Sequence, residues 1–212
     1  MAEALKQYWY LAVALVAVAI FTVWVVKKAA EAASRTRAER EAQMKKLEYE
    51  SGVRKEFAEL SEEKLRSADK KRAFDGVAMN IQRYLEKQSN MNAAFAELPD
   101  AKKQIYALYY LFDDSQKGLS EFFKCNSAPL TPEALKAVES LFPRDAAEAF
   151  AGEYRAYDPD DETASLIPAE TEKNDEKYAQ AMKDFDFYNA AVEFIIKNLN
   201  DFADIRLIFY SR

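Results

Sequence analysis

The chain has 212 residues, half of them apolar and 31% charged, with a formal net charge of −6, only 4 Gly and 6 Pro, one Cys and no His. So few turn formers argue against a many-stranded sandwich or barrel and for an all-α chain. The lack of histidine excludes Ser-His-Asp and Cys-His nucleophilic sites, His-ligated zinc and haem held by a proximal His.

From Gln7 to Val26 no side chain is charged, and across residues 8–26 Thr22 is the one aliphatic polar residue. Twenty helical residues rise roughly 30 Å, about the thickness of a bilayer's hydrocarbon core. Residues 8–26 are therefore expected to form a single transmembrane helix behind a short extracytoplasmic tail, residues 1–7. Both tryptophans, Trp9 and Trp24, lie near the ends of this run, with Tyr8 and Tyr10 beside the first, where interfacial aromatic belts form. Lys27 and Lys28 follow at the other interface. A cleaved signal peptide is the competing reading, because Ala30-Glu31-Ala32 offers a small-x-small pattern. Against it, the run exceeds a usual h-region of roughly 7–15 residues, and Glu3 offsets Lys6 before it.

Lys6 alone precedes the span, whereas Lys27, Lys28, Arg35, Arg37, Arg40, Lys45 and Lys46 follow closely. The positive-inside rule then places the C-terminal part in the cytoplasm. The span contains no Asp, Glu, Lys, Arg, Gln or Asn, so it reads as an anchor in the lipid bilayer rather than a proton relay or ion path. Ala12, Ala14, Ala17 and Ala19 include no pair four apart, and the small-xxx-small packing signature is missing.

Residues 27–72 hold 14 Lys/Arg, 10 Asp/Glu and no Pro, and are expected to form a charged helical stalk. Acid-then-base pairs recur at i,i+4 in Glu31/Arg35, Glu41/Lys45, Glu50/Arg54 and Glu62/Arg66. Gly52 is the expected place for a break. A coiled coil is disfavoured, because the series begun by Val53, Phe57 and Leu60 continues into Lys64 and Ser67.

Residues 73–212 carry 15 Lys/Arg against 25 Asp/Glu and are expected to fold as one acidic helical domain. Ile105, Leu108, Tyr109 and Phe112 fall at i, i+3, i+4 and i+7; Leu119, Phe122 and Phe123 repeat the spacing; Tyr188, Val192, Ile195, Ile196 and Leu199 sustain it. Thr131-Pro132 suggests a capping hydroxyl before a first-turn proline, and Asp145-Ala-Ala-Glu148 a capping box after Pro143. These signals predict helices over 54–88, 100–126 with a break near Gly118, 132–141, 145–156 and 172–200, with an irregular stretch at 157–170. Residues 206–210 read equally as a helix turn or a short strand.

The densest carboxylate cluster is Asp158-Pro-Asp160-Asp161-Glu162. A calcium loop of the EF-hand type needs Gly at its sixth position and Glu at its twelfth, and Thr163 and Ala169 stand there. Cys125 has no histidine to activate it and reads as a buried structural thiol. Glycines at 52, 76, 118 and 152 never cluster, so neither a P-loop nor a dinucleotide fingerprint is present. The acidic balance of the C-terminal domain disfavours direct nucleic-acid binding. No metal, cofactor or catalytic residue is expected.

Tyr109-Tyr-Leu-Phe-Asp113 and Gly118-Leu-Ser-Glu-Phe-Phe-Lys-Cys-Asn126 look like a helix, a glycine turn and an aromatic pair leading to Asn. Leu130-Thr-Pro-Glu-Ala-Leu135 looks like a following helix start, and Asp186-Phe-Tyr188 through Ile195-Ile-Lys-Asn198 and Phe202 like a closing helix. In these segments, within about residues 104–202, the chain resembles an all-helical family of unknown function that includes a bacterial DNA-mimic protein. Lys117 stands where that family usually has Asn-Gly or Gly-Gly. The resemblance implies carboxylates presented in place of phosphates to a basic surface, and no catalytic residue.

Three functions follow as expectations. The first is a non-catalytic, single-pass membrane protein whose cytoplasmic domain docks a protein partner through Asp158, Asp160, Asp161 and Glu162, as an accessory subunit of a membrane assembly. The second is a DNA-mimic-like regulator occupying a basic site on a nucleic-acid-binding protein. The third is an enzyme with a carboxylate-lined site.

Overall fold

The computed structural model describes residues 39–157 and 168–202, together with Phe21, Thr22, Trp24, Lys27, Lys28 and Arg37. The chain divides into two compact units, Met1–Tyr49 and Glu50–Arg212.

In the first unit every described residue is helical and exposed. Phe21 and Trp24, three residues apart, stack with ring centroids 5.9 Å apart. Among the described residues no helix is long and apolar enough to cross a membrane. Of the expected span 8–26 only Phe21, Thr22 and Trp24 are described; Trp9 and residues 1–7 lie outside the described residues.

The second unit is helical, with no strand among its described residues. It runs through α1 (residues 50–56), α2 (Glu62–Ser67), α3 (Lys70–Glu86), α4 (Met91–Glu97) and α5 (Asp100–Asp114), then a 3-10 turn at Ser115–Lys117 and α6 (Leu119–Lys124). A second 3-10 turn at Ala128–Leu130 leads into α7 (Thr131–Leu141), α8 (Arg144–Ala156), α9 (Pro168–Met182), α10 (Phe187–Lys197) and α11 (Leu199–Phe202).

Short polar side chains start several of these helices by accepting a first-turn N–H. Ser61 accepts from Lys64, Asp69 from Arg72, Asn90 from Ala93 and Asp186 from Asn189. Pro99 and Pro143 precede α5 and α8, where their fixed φ sets the turn into the helix. Two expected caps differ. Thr131 already lies inside α7, and its hydroxyl donates back to the Ala128 carbonyl at 2.6 Å. Asp145 lies in the first turn of α8 rather than at its cap, and Glu148 pairs with Arg144 at 2.8 Å instead of closing a capping box.

The expected helix over 54–88 is three helices. Gly52 sits inside α1 with open space around it, and the chain turns at Phe57 instead. The Phe57 ring, fully buried, lies so close to Gly76 that a Cβ there would stand 2.5 Å from it. Asn80 donates to the Arg54 and Phe57 carbonyls at 3.1 Å each, and so satisfies the end of α1. Val53, Phe57 and Leu65 are all fully buried, within the compact unit that begins at Glu50. A second correction is at the C-terminal end, where residues 183–186 separate α9 from α10 within the expected helix 172–200. Residues 158–167, most of the expected irregular stretch, and residues 203–212 lie outside the described residues.

An aromatic seam joins the layers. Phe112 of α5 stacks on Phe187 of α10 at 4.7 Å with rings nearly parallel, and Phe74 of α3 and Phe142, after α7, meet Phe187 edge-on at 5.1 and 5.7 Å. Each such contact adds about 0.5–1.5 kcal/mol beyond the area it buries. The apolar stripes read from the sequence therefore serve as core, with Ile105, Leu108, Val192 and Ile195 fully buried.

Candidate functional site

Tyr106, Tyr110 and Asp114 stand one turn apart on a face of α5 that the Ile105, Leu108 and Phe112 stripe does not use. Opposite them the chain leaves α6 at Cys125 in extended conformation and turns through the 3-10 segment Ala128–Leu130. The Ser127 hydroxyl donates to the Asp114 carboxylate and fastens this segment to the end of α5. A cleft opens on each side of the segment. One, of about 800 Å³, is walled by Met91 and Phe95 of α4 and by the Tyr106–Asp114 face. The other, of about 600 Å³, reaches Tyr154 and Tyr157. Both include Lys124, Cys125, Asn126 and Pro129.

The larger cleft is aromatic and hydrogen-bonded. Phe95 lies 5.7 Å from Tyr106, which lies edge-on to Tyr110 at 5.0 Å, with the two phenol oxygens 3.4 Å apart. Burial, the Tyr110 contact and the charge of Glu86 push the Tyr106 phenol well above its usual range, so it remains a neutral donor. On the seam side of the helix, burial first and Asp75 next push Tyr109 up to about 12. Cys125 is half-buried, a correction to the expected buried thiol, and it belongs to both cleft walls. Burial, then the Asp114 and Glu121 carboxylates, raise its pKa. That is opposite to what activates a nucleophilic thiol.

A second polar cluster lies between α6, α8 and α9. Asp175 accepts from the Ser120 N–H and hydroxyl, and Glu153, 2% exposed, accepts from Asn174 at 3.4 Å. Burial and then the Asp175 charge raise the Glu153 pKa. Both carboxylates are held by neighbouring helices, and Glu153 lines neither cleft beside Cys125. Among the described residues no group of three or more Cys, Asp or Glu is arranged to hold a metal ion.

Of the residues singled out by the sequence, Trp24, Lys27 and Lys28 are helical and exposed. Trp9, Asp158, Asp160, Asp161 and Glu162 lie outside the described residues. The sequence reading missed the Tyr106, Tyr110 and Asp114 face. Its i, i+4, i+8 spacing was visible, but it reads as an ordinary half-polar helix face until α4 and residues 124–130 are set against it. Compared with family models, curated proteins and solved structures, the chain shows no significant match to any of them.

Proposed function

We propose that this is a non-catalytic protein anchored by one transmembrane helix, whose helical unit docks a protein partner on the cytoplasmic side as an accessory subunit of a membrane assembly. The observation that carries the reading is the uncharged run from Gln7 to Val26, followed closely by seven basic residues and preceded by one. Trp9, Trp24, Lys27 and Lys28 are its interfacial residues. Asp158, Asp160, Asp161 and Glu162 are proposed to meet the partner, and the helical unit has an open, aromatic cleft where burial and nearby carboxylates raise the pKa of the Cys125 thiol.

Phosphate mimicry is less favoured on one count. Between Asp145 and Asp186 there are 13 acids, but Asp145 and Glu148 pair with Lys177, Glu153 and Asp175 are engaged between helices, and Asp186 caps α10. The carboxylates left to imitate a phosphate row are correspondingly fewer.

A reporter fused after Arg212 should be active only in the cytoplasm, and the chain should stay with membranes through alkaline extraction. Crosslinking in those membranes, followed by mass spectrometry, should recover another membrane subunit. Activity outside the cytoplasm, release by alkali, or recovery of soluble nucleic-acid-binding proteins alone would overturn the reading.

A further inference from the structure

The larger cleft sets three aromatic rings beside a carboxylate that has no cationic partner among the described residues. Phe95, Tyr106 and Tyr110 succeed one another at 5.7 and 5.0 Å, and Asp114 stands one helical turn beyond Tyr110. The group hydrogen-bonded to Asp114 is a neutral donor, the Ser127 hydroxyl, and the nearby Cys125 thiol is raised by the Asp114 charge. The lysine of this cleft, Lys124, is paired with Glu121 at 3.1 Å. Two other groups of the cleft feel the surplus negative charge: Glu86 helps to raise the Tyr106 phenol, and Asp114, Glu121 and Asp113 help to raise the Cys125 thiol. Met91 is 48% exposed at the wall, an apolar surface beside the rings. Tyr157, in the neighbouring cleft, directly precedes Asp158, the first acid of the segment assigned to docking.

Ring faces attract cations, and a carboxylate with free lone pairs completes the match. Arginine suits this pair better than lysine, because its planar guanidinium stacks on a ring while its fork grips a carboxylate. We propose that this cleft receives one arginine of the partner protein, its guanidinium against Tyr106 and Tyr110 and paired with Asp114, and an apolar neighbour against Met91 and Phe95. The proposal rests on the docking function above and names the chemistry of its partner.

The test uses the full chain in detergent micelles and two blocked tripeptides, acetyl-Leu-Arg-Leu-amide and its citrulline counterpart, which keeps the shape and removes the charge. Titration followed by calorimetry or amide chemical shifts should give at least five-fold tighter binding of the arginine peptide. Asp114→Asn should abolish that preference without moving the unfolding midpoint. Tyr110→Leu, which keeps apolar volume and removes the ring, should shrink it and serves as the deciding variant if Asp114→Asn unfolds. Equal affinity for both peptides, or a preference that survives in both variants, overturns the proposal. So does self-association that Asp114→Asn abolishes, which would give the cleft to a second copy of the chain. Failure here is distinct from failure of the docking reading: a crosslinked membrane partner with no arginine preference sinks only the cleft assignment, and an arginine preference with no membrane partner sinks only the docking reading.

Discussion

Asp175 of α9 accepts both the backbone N–H and the hydroxyl of Ser120 in α6, each at 2.8 Å. The residue at the N-cap of α6 is Gly118, which has no side chain to accept a first-turn donor, and a helix of six residues is too short to stand alone. The missing cap is thus supplied from another helix. Gly118 also adopts φ 148°, and a Cβ there would lie 2.9 Å from an Asp175 oxygen.

Removing the donated cap with Asp175→Ala should cost about 0.5–2 kcal/mol, the range for losing a helix cap. Gly118→Ala should cost more, because about 1–3 kcal/mol of backbone strain adds to the clash with Asp175. Urea unfolding of both variants would check this. A Gly118→Ala protein as stable as the wild type would show that α6 does not need this geometry.

Glu153 gives a pH prediction. Burial and the Asp175 charge raise its pKa above the ordinary glutamate value, against the opposing hydrogen bonds from Asn174 and Thr171. A raised acid binds its proton more firmly folded than unfolded, so its contribution is most favourable at low pH and declines as pH rises from about 4.3 through the raised folded value. This is the reverse of a carboxylate held by a cation. Glu153→Gln removes the ionisation, so the variant should gain stability relative to wild type between pH 4 and 7. Urea midpoints of both proteins across that range give the difference, and a constant difference would show that Glu153 titrates as it does in the unfolded chain.

The sequence made plain those elements whose signals are local. Pro132 and Pro143 mark the starts of α7 and α8, and Gly118 marks the break before α6, because proline and glycine act on their own backbone. The turn after α1 was hidden because it is enforced from α3, by Gly76 making room for the Phe57 ring and by Asn80 holding two carbonyls. α4, between the expected helices 54–88 and 100–126, carries only a weak local signal: it has seven residues, and its cap, Asn90, sits in a polar stretch. The cleft was illegible because its walls come from α4, α5 and residues 124–130, and only tertiary packing puts them together. The same packing takes Glu153 and Asp175 out of the acidic surface that residues 145–186 suggest.

Cys125 tests the charge of the cleft directly, and it is the one cysteine of the chain, so any thiol signal belongs to it. Burial is the first cause of its raised pKa and Asp114 the second. Only the thiolate reacts with an alkylating reagent, so at neutral pH the folded protein should react more slowly than a free cysteine peptide. Asp114→Asn removes a negative charge and keeps an oxygen to accept from Ser127. The thiol pKa should then fall and the rate at neutral pH should rise. The two rate curves should converge at alkaline pH, where both thiols are ionised. That convergence separates an electrostatic effect from an opened cleft, because greater exposure would keep the variant faster at every pH. Rates measured from pH 6 to 10 would decide it: a rate unchanged at neutral pH means that the Asp114 charge does not act on the thiol, and a persistent gap at alkaline pH means Asp114 acts by fastening residues 124–130 to α5.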